Sequence, residues 1–335
     1  MGSANATTWR TAMDLALYGE TGFYRRERPA THFRTSVHAS ARFAVAFARL
    51  LESVDETLGH PPRLDLVDIG AGCGSLLTGI RSAVPAELAV RLAPVAVEVS
   101  ARPADLPAGI GWLTEPPEEI TGLVVANEWL DNIPLDVVEL TPAGPRLVLV
   151  DPRTGAERAG PPPAPEDVAW LDRWWPLREP GDRAEVGRTR CAAWTSVIGR
   201  MRRGLAVAVD YSHQRSDRPV CGSLTGYRDG HVVPAVPDGS CDVTAHVALD
   251  ACASAGVDAG ATASLLTTQR AALRALGLTG ARPSIELAGR DPREYVSALC
   301  AAGEEAELID PAGLGGFGWL VQSAGIPIPP PLPVD

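Results

Sequence analysis

The sequence is poor in positive charge, has no paired cysteine motif and contains no long apolar run. Its 30 Lys and Arg are outnumbered by 41 Asp and Glu, for a net charge of -11 and a pI near 5.1. That balance argues against a general nucleic-acid binder, whose phosphate contacts need a basic face. An acidic surface suits a cationic substrate, and it also serves solubility. The six cysteines, Cys73, Cys191, Cys221, Cys241, Cys252 and Cys300, form no CxxC pair and no Cys/His spacing of a zinc site. They are expected to be reduced, mostly buried thiols of a cytosolic protein, and no metal is expected. The N-terminal "MGSANATTWRTAMDLALYG" lacks a basic segment ahead of a long apolar core, so it does not read as a secretory signal. "MGSANA" matches a myristoylation start only weakly. No apolar run is long enough to span a bilayer, and no internal repeat is found. The expectation is a cytoplasmic protein that partners neither nucleic acid nor membrane.

What is present is 335 residues, 45% of them hydrophobic, enough for one large domain with insertions or for two domains. Residues 7–20 predict a helix, and "VHASARFAVAFARLLESVDETLG" a strong amphipathic one, with Phe43, Phe47, Leu50 and Leu51 at helical spacing. After the break "PPR" the pattern alternates. "LDLVDIG" reads as a buried strand, "GSLLTGIRSAV" as a helix, and "RLAPVAVEVS" and "TGLVVANEWLDNIP" as strands ending in polar residues. Alternation of this kind predicts an α/β fold with a mostly parallel, doubly wound sheet. "DVVEL" and "RLVLV" form a pair across "TPAGP", and "APEDVAWLDRWWPL" a short helix. "RAEVGRTRCAAWTSVIGRMRRG" reads as one helix closed by Gly204, followed by the strand "LAVAVDY". "CDVTAHVALDACASAG" and "TTQRAALRALG" read as helices, and "EAELIDPAGLGGFGWLVQS" as the closing strands. The expected organisation is an N-terminal helical cap over 1–60 and a Rossmann-like core over 61–211 and 301–325. A helical excursion is expected near 155–200, a substrate-side insertion over 212–300 and a disordered proline-rich tail over 326–335.

The stretch "VDIGAGCGSL" carries the first chemical signal. A strand running into Gly70, Gly72 and Gly74 and then a helix brings backbone N–H groups close to a ligand. The spacing is GxGxG, not the GxGxxG of dinucleotide sites, and no phosphate-binding lysine follows. Asp68 stands just ahead, where an acid can face an amino group. S-adenosylmethionine carries such a group and no phosphate, so the chemistry favours a methyl donor over NAD. Glu98 ends the next strand, where an acid can accept both ribose hydroxyls. A plain tight turn and a solvated strand end are the alternatives.

The second signal is "ANEWLDNIP". Asn127, Glu128 and Asp131 follow a buried strand, and ligands of open α/β sheets bind beyond the carboxyl ends of strands. On a helical turn Glu128 and Asp131 would share a face and could grip a cation. A guanidinium fits best, because its planar fork matches carboxylates. Carboxylates on one edge would leave the opposite nitrogen richer in electrons and able to attack the sulfonium methyl. Alternatively, Asn127 caps a helix and the two acids are solvated first-turn residues.

Together these motifs resemble the MidA-type, or DUF185, methyltransferases, related to the mitochondrial complex I assembly arginine methyltransferase. The likeness runs along nearly the whole chain. It includes "MDLALYGETGFY", "HFRTS", "VDIGAGCGSL", "VEVS", "ANEWLDNIPLDVVEL", "VDY", "LTGYRDGHVV", "DVTAHV", "TTQRAALRALG" and "GLGGFGWLVQS". The resemblance implies a class I methyltransferase fold, S-adenosylmethionine as donor and an arginine guanidinium, free or in a protein, as acceptor. It implies that Gly70, Gly72, Gly74, Glu98 and Val99 hold the donor with Asp68. It also implies that Asn127, Glu128 and Asp131 border the substrate, and that Tyr24, Thr35 and Ser36 close over the cofactor. Asp210, Tyr211, His38 and His246 are further candidates on the substrate side. Where the family reads Pro-Glu-x-Ser this chain reads Val37-His38-Ala39-Ser40, which is either a neutral partner swap or a changed substrate. His231 and His246 read as structural, Trp170, Trp174 and Trp175 as helix packing, and Arg25, Arg26 and Arg28 as a solvated basic loop. The resulting expectation is an arginine N-methyltransferase that allows a homodimer. Alternatives are a small-molecule O- or N-methyltransferase and a non-catalytic donor-binding assembly factor.

Overall fold

The computed structural model describes residues 6–26 and 35–332. His32, Phe33 and Arg34 of "HFRTS", together with Arg28, lie outside the described residues. The centre is a seven-stranded sheet formed by β1 (Leu64–Ile69), β2 (Leu92–Val97), β3 (Gly111–Leu113), β4 (Ile120–Asn127), β5 (Met201–Asp210), β6 (Ala263–Thr268) and β7 (Gly318–Ala324). Its order is β3-β2-β1-β4-β5-β7-β6. The first five strands are parallel, and β7 runs antiparallel between β5 and β6. The order reverses between β1 and β4, and a crevice opens at such a switch point.

Period-two side-chain alternation divides the core. Leu66, Leu123, Val125, Leu205 and Val207 face one side, against Phe43, Phe47, Leu50, Leu76 and Leu77. Val67, Val124, Ala126, Ala206 and Ala208 face the other, against Trp194, Val197, Ile198 and Cys252. The helix Ala41–Leu58 starts where the Ser40 hydroxyl accepts the Arg42 N–H (2.9 Å), and ends at Gly59 in the left-handed region. Its Phe47 ring stacks on Trp319 at 5.1 Å between centroids. Each fully buried Phe or Leu contributes about 1.5–3 kcal/mol.

A second, five-stranded sheet contains the antiparallel pair Asp136–Thr141 and Gly144–Val150, the hairpin expected across "TPAGP". The helix Trp9–Tyr18 docks on this sheet through Trp9, Met13 and Leu17. That docking carries Tyr18 and Tyr24 to the rim of the crevice.

Several expected elements are corrected. The helix expected over 183–204 is a strand (Arg183–Val186), a helix (Arg188–Ile198) and the start of β5. Asp136–Thr141 offers an open edge to which 183–186 hydrogen-bonds, and tertiary pairing overrides local propensity. Gly204 is therefore a strand residue, not a helix cap. Within 241–256, Asp242–Thr244 pairs with Thr225–Arg228, and the helix spans only Leu249–Asp258. The helix expected from Val37 is interrupted at Ser40, whose extended backbone separates one turn, Ser36–Ala39, from the long helix. Residues 292–308 are helical before the single closing strand β7. The stretch 212–300 divides in two, its second part supplying β6 and a helix to the main sheet. In the proline-rich tail Ile326, Ile328 and Leu332 are buried in the main core instead of trailing free. Cys241 and Cys252 are buried as expected of the thiols, but Cys221 and Cys300 are exposed and Cys73 and Cys191 lie between. No helix among the described residues is long and apolar enough to cross a membrane.

Candidate active site

A cavity of about 270 Å³ opens at the carboxyl ends of β1, β2 and β4. One wall is the loop after β1. Gly70 (φ 71°) and Gly72 (φ 55°) sit in the left-handed region, where side chains are strained. A Cβ on Gly70 would stand 2.9 Å from Trp129, while a side chain on Gly72 would project into open space. Gly74 lines no part of the cavity. It packs against Leu106 and opens the helix Ser75–Ala83. Glu98, just past β2, accepts the Gly72 N–H (2.9 Å) through Oε2 and the Ser100 N–H (3.0 Å) through Oε1. Each oxygen keeps a lone pair for a ligand hydroxyl. Asp68 and Val99 complete this wall. Burial, reinforced by Glu98, pushes the Asp68 carboxyl up to about 8.

The opposite wall begins where β4 ends. Glu128 has φ 50°, uncommon for a residue with a side chain and the kind of strain that concentrates at functional sites. Its N–H is tied to Val209 O (2.8 Å). Its Oε1 accepts the Ser36 N–H (3.0 Å) and the Asn127 Nδ2–H (3.1 Å). Glu128 Oε2 and Asn127 Oδ1 are buried with no partner, and both residues line the cavity. Burial raises Glu128 to about 8, with Asp131 and Asp242 adding to the rise and the Ser36 N–H opposing it. Tyr18 and Tyr24, with ring centroids 5.5 Å apart, form an aromatic rim. The Tyr24 hydroxyl donates to Asp242 Oδ1 (2.9 Å), which also takes the Asn132 Nδ2–H (3.1 Å). Burial, then Asp131, pushes Asp242 up to about 7.

Of the expected residues, Asp68, Gly70, Gly72, Glu98, Val99, Asn127, Glu128, Tyr24, Thr35 and His38 therefore meet at one cavity. Ser36 reaches it only through its N–H on Glu128. The expectation that Glu128 and Asp131 share a helical face is corrected: left-handed Glu128 precedes a 3₁₀ turn, Leu130–Asn132. Asp131 Oδ2 instead accepts the Thr244 hydroxyl (2.7 Å). Asp210 Oδ2 takes the N–H groups of Leu130 (3.0 Å) and Asp131 (3.2 Å), holding that turn. Tyr211 leans on Phe317 (4.2 Å) and stacks on exposed His246 (5.8 Å). None of these four lines the cavity.

Sequence reasoning missed Tyr18, Trp129 and Arg190. Tyr18 begins the same "YGETGFY" run as Tyr24 and was within reach. Arg190 was not: buried at 1% exposure, it donates to the carbonyls of Asp131, Ala245 (2.9 Å), His246 (2.8 Å) and Ile133 (3.4 Å). Its charge counters Asp131 and Asp210 from below the site. Among the described residues no His/Cys/Asp/Glu cluster is placed to hold a metal.

The strand order, the glycine loop and the acid after β2 define a class I methyltransferase. Residues 44–267 match the family described as "Putative S-adenosyl-L-methionine-dependent methyltransferase", and the chain belongs to that family. It is thus an S-adenosylmethionine-dependent methyltransferase, and the resemblance to the MidA-type (DUF185) family is borne out. It is similar to a COG1565 superfamily member from Burkholderia thailandensis solved bound to S-adenosyl-homocysteine, at 27% identity and TM-score 0.80. That match covers 96% of this chain and 89% of the other. It is also similar to an uncharacterized COG1565 superfamily protein from the same organism, at 29% identity and TM-score 0.79, covering 96% and 88%. No curated protein matches the chain in sequence.

Proposed function

We propose that this enzyme methylates a nitrogen of a guanidinium group, in free arginine or in an arginine side chain, and that Glu128 receives that group. The observation that carries the reading is Glu128 Oε2. It is a buried carboxylate oxygen with no partner in a tyrosine-rimmed cavity, while Oε1 is fixed by Ser36 and Asn127. A planar cation satisfies such an oxygen and lies flat against aromatic rings.

The donor wall fits S-adenosylmethionine. Glu98 has lone pairs for ribose hydroxyls, Asp68 can face the amino group, and Gly72 leaves open space beside the loop. The Burkholderia relative binds S-adenosyl-homocysteine, which supports the same use of this cavity. The donor supplies the sulfonium methyl. Glu128 orients the acceptor and draws its positive charge to one edge, leaving the far nitrogen better able to attack. A carboxyl raised to about 8 is largely protonated at neutral pH in the free protein. An arriving cation favours the ionised form and displaces that proton. Asp131, Asp210 and Arg190 hold the turn that carries Glu128 and act from behind it.

The test is incubation with isotopically labelled donor and either free arginine or arginine peptides, followed by mass spectrometry. Labelled methylarginine is expected from wild type and about 10³-fold less from Glu128→Gln. Equal turnover by that variant would remove Glu128 from the mechanism.

A further inference from the structure

Cys73 lies inside the glycine loop, lines the cavity and is partly exposed. Its sulfur is 3.1 Å from Ser75 Oγ and 3.9 Å from His38 Nε2. His38 Nδ1 is in turn 2.7 Å from Thr35 Oγ1, and the His38 N–H is anchored on Thr35 O (3.0 Å). A hydroxyl thus orients an imidazole and the imidazole faces a thiol, across 35 residues of sequence. An imidazole beside a thiol favours the thiolate, the form that reacts. His38, then Ser75, draw the thiol down to about 7 against the effect of burial. Of the acids on this side of the cavity, Asp68 at β1 opposes the thiolate and is itself pushed up by Cys73, and Glu98, just past β2, lines the same space. Two further features of the same cavity are consistent with a ligand there. Asn127, more than nine-tenths buried, lines the same cavity and its Oδ1 has no partner. No atom lies within 4 Å of where a Gly72 side chain would stand.

We propose that Cys73 is a modification site. Its sulfur exchanges with a small disulfide in the space the donor uses, so a modified Cys73 and a bound donor exclude one another. The proposal rests on the reading of this cavity as the donor site. With a disulfide R–S–S–R, the Cys73 proton passes to His38 Nε2 or water and the thiolate attacks one sulfur. A Cys73–S–S–R bond forms, the R–S–S–R bond breaks, and RS⁻ leaves with the electron pair. The disulfide is the oxidant, and excess thiol reverses the step. His38 is then the residue that makes the thiol responsive. A carboxylate there would suppress ionisation.

The experiment labels the full chain with iodoacetamide between pH 5.5 and 9, with and without S-adenosylhomocysteine, and maps the adducts by mass spectrometry. Cys73 is expected to react at least about tenfold faster at pH 7 than exposed Cys221 and Cys300, with a midpoint near 7. His38→Ala and His38→Gln should both slow Cys73 severalfold and move the midpoint upward. Saturating S-adenosylhomocysteine should suppress its labelling. In a second arm, hydroxyethyl disulfide should abolish S-adenosylhomocysteine binding by calorimetry and dithiothreitol should restore it, while Cys73→Ser becomes insensitive to the disulfide. The proposal is overturned if Cys73 reacts no faster than Cys300, if neither His38 variant changes its rate, or if the adduct binds S-adenosylhomocysteine as well as untreated protein. Loss of S-adenosylhomocysteine binding in untreated protein would overturn the donor reading itself, and the exclusion with it.

Discussion

The two walls of the cavity are built differently. The donor wall comes from one continuous stretch, 64–99, in which a strand, a glycine loop and the next strand lie side by side. Its central carboxylate, Glu98, is already hydrogen-bonded to that loop. The opposite wall is formed by residues 18, 24, 127, 128 and 132, and residues 36, 131, 190, 210 and 242 act on it from behind. It keeps buried acids with raised pKa and carboxylate or amide oxygens that no protein group satisfies. A wall made of backbone and local acids holds a constant ligand. A wall of desolvated acids with raised pKa is one that an arriving cation, as proposed above, would shift to the ionised form.

The largest expected contrast comes from Glu128→Gln. Turnover should fall about 10³-fold, because a positioned charge at the reacting group is removed. The donor dissociation constant should stay within a few-fold, since the donor wall is untouched; both are read by steady-state kinetics and calorimetry. Next, Arg190→Met should destabilise the protein by about 3–5 kcal/mol, leaving Asp131 and Asp210 uncompensated. Urea unfolding measures it, and donor-wall geometry is not expected to be the cause. Glu98→Ala should weaken donor binding roughly 10- to 100-fold through lost charge-assisted hydrogen bonds, while kcat at saturating donor changes far less.

The pH dependence sharpens the comparison further. Asp68, raised to about 8 in the free protein, would have to ionise to meet the amino group proposed for it. Donor-product affinity should therefore rise by up to about tenfold per pH unit from pH 6 to 8 and level off above 8. Asp68→Asn should flatten that slope in calorimetry. The smallest effect concerns stability. Groups whose folded-state pKa is raised bind protons more tightly when folded, so their contribution weakens as pH rises from about 4 to about 8. The ligand-free melting temperature should be lower at pH 8.5 than at pH 6, and donor should narrow the gap.

The same division explains what could be read from sequence. Strand–glycine–helix punctuation and Glu98 are local, so the glycine loop and its neighbouring acid were legible, as was the parallel sheet. The strand at 183–186 was not, because its reason is the free edge at 136–141. Asp131 looked like a partner of Glu128 by spacing, but one left-handed residue and an arginine 59 positions away turn it inward. His38 stood out as a departure, while its partner Cys73 appeared to be another inert thiol. Contacts between distant segments leave no periodic trace.

The most direct measurement is a crystal structure with S-adenosylhomocysteine and arginine. The account predicts guanidinium N–H groups on Glu128 Oε2, between the tyrosine rings and the donor sulfur, with the ribose on Glu98. An arginine bound elsewhere, with Glu128 Oε2 still unpartnered, would contradict it.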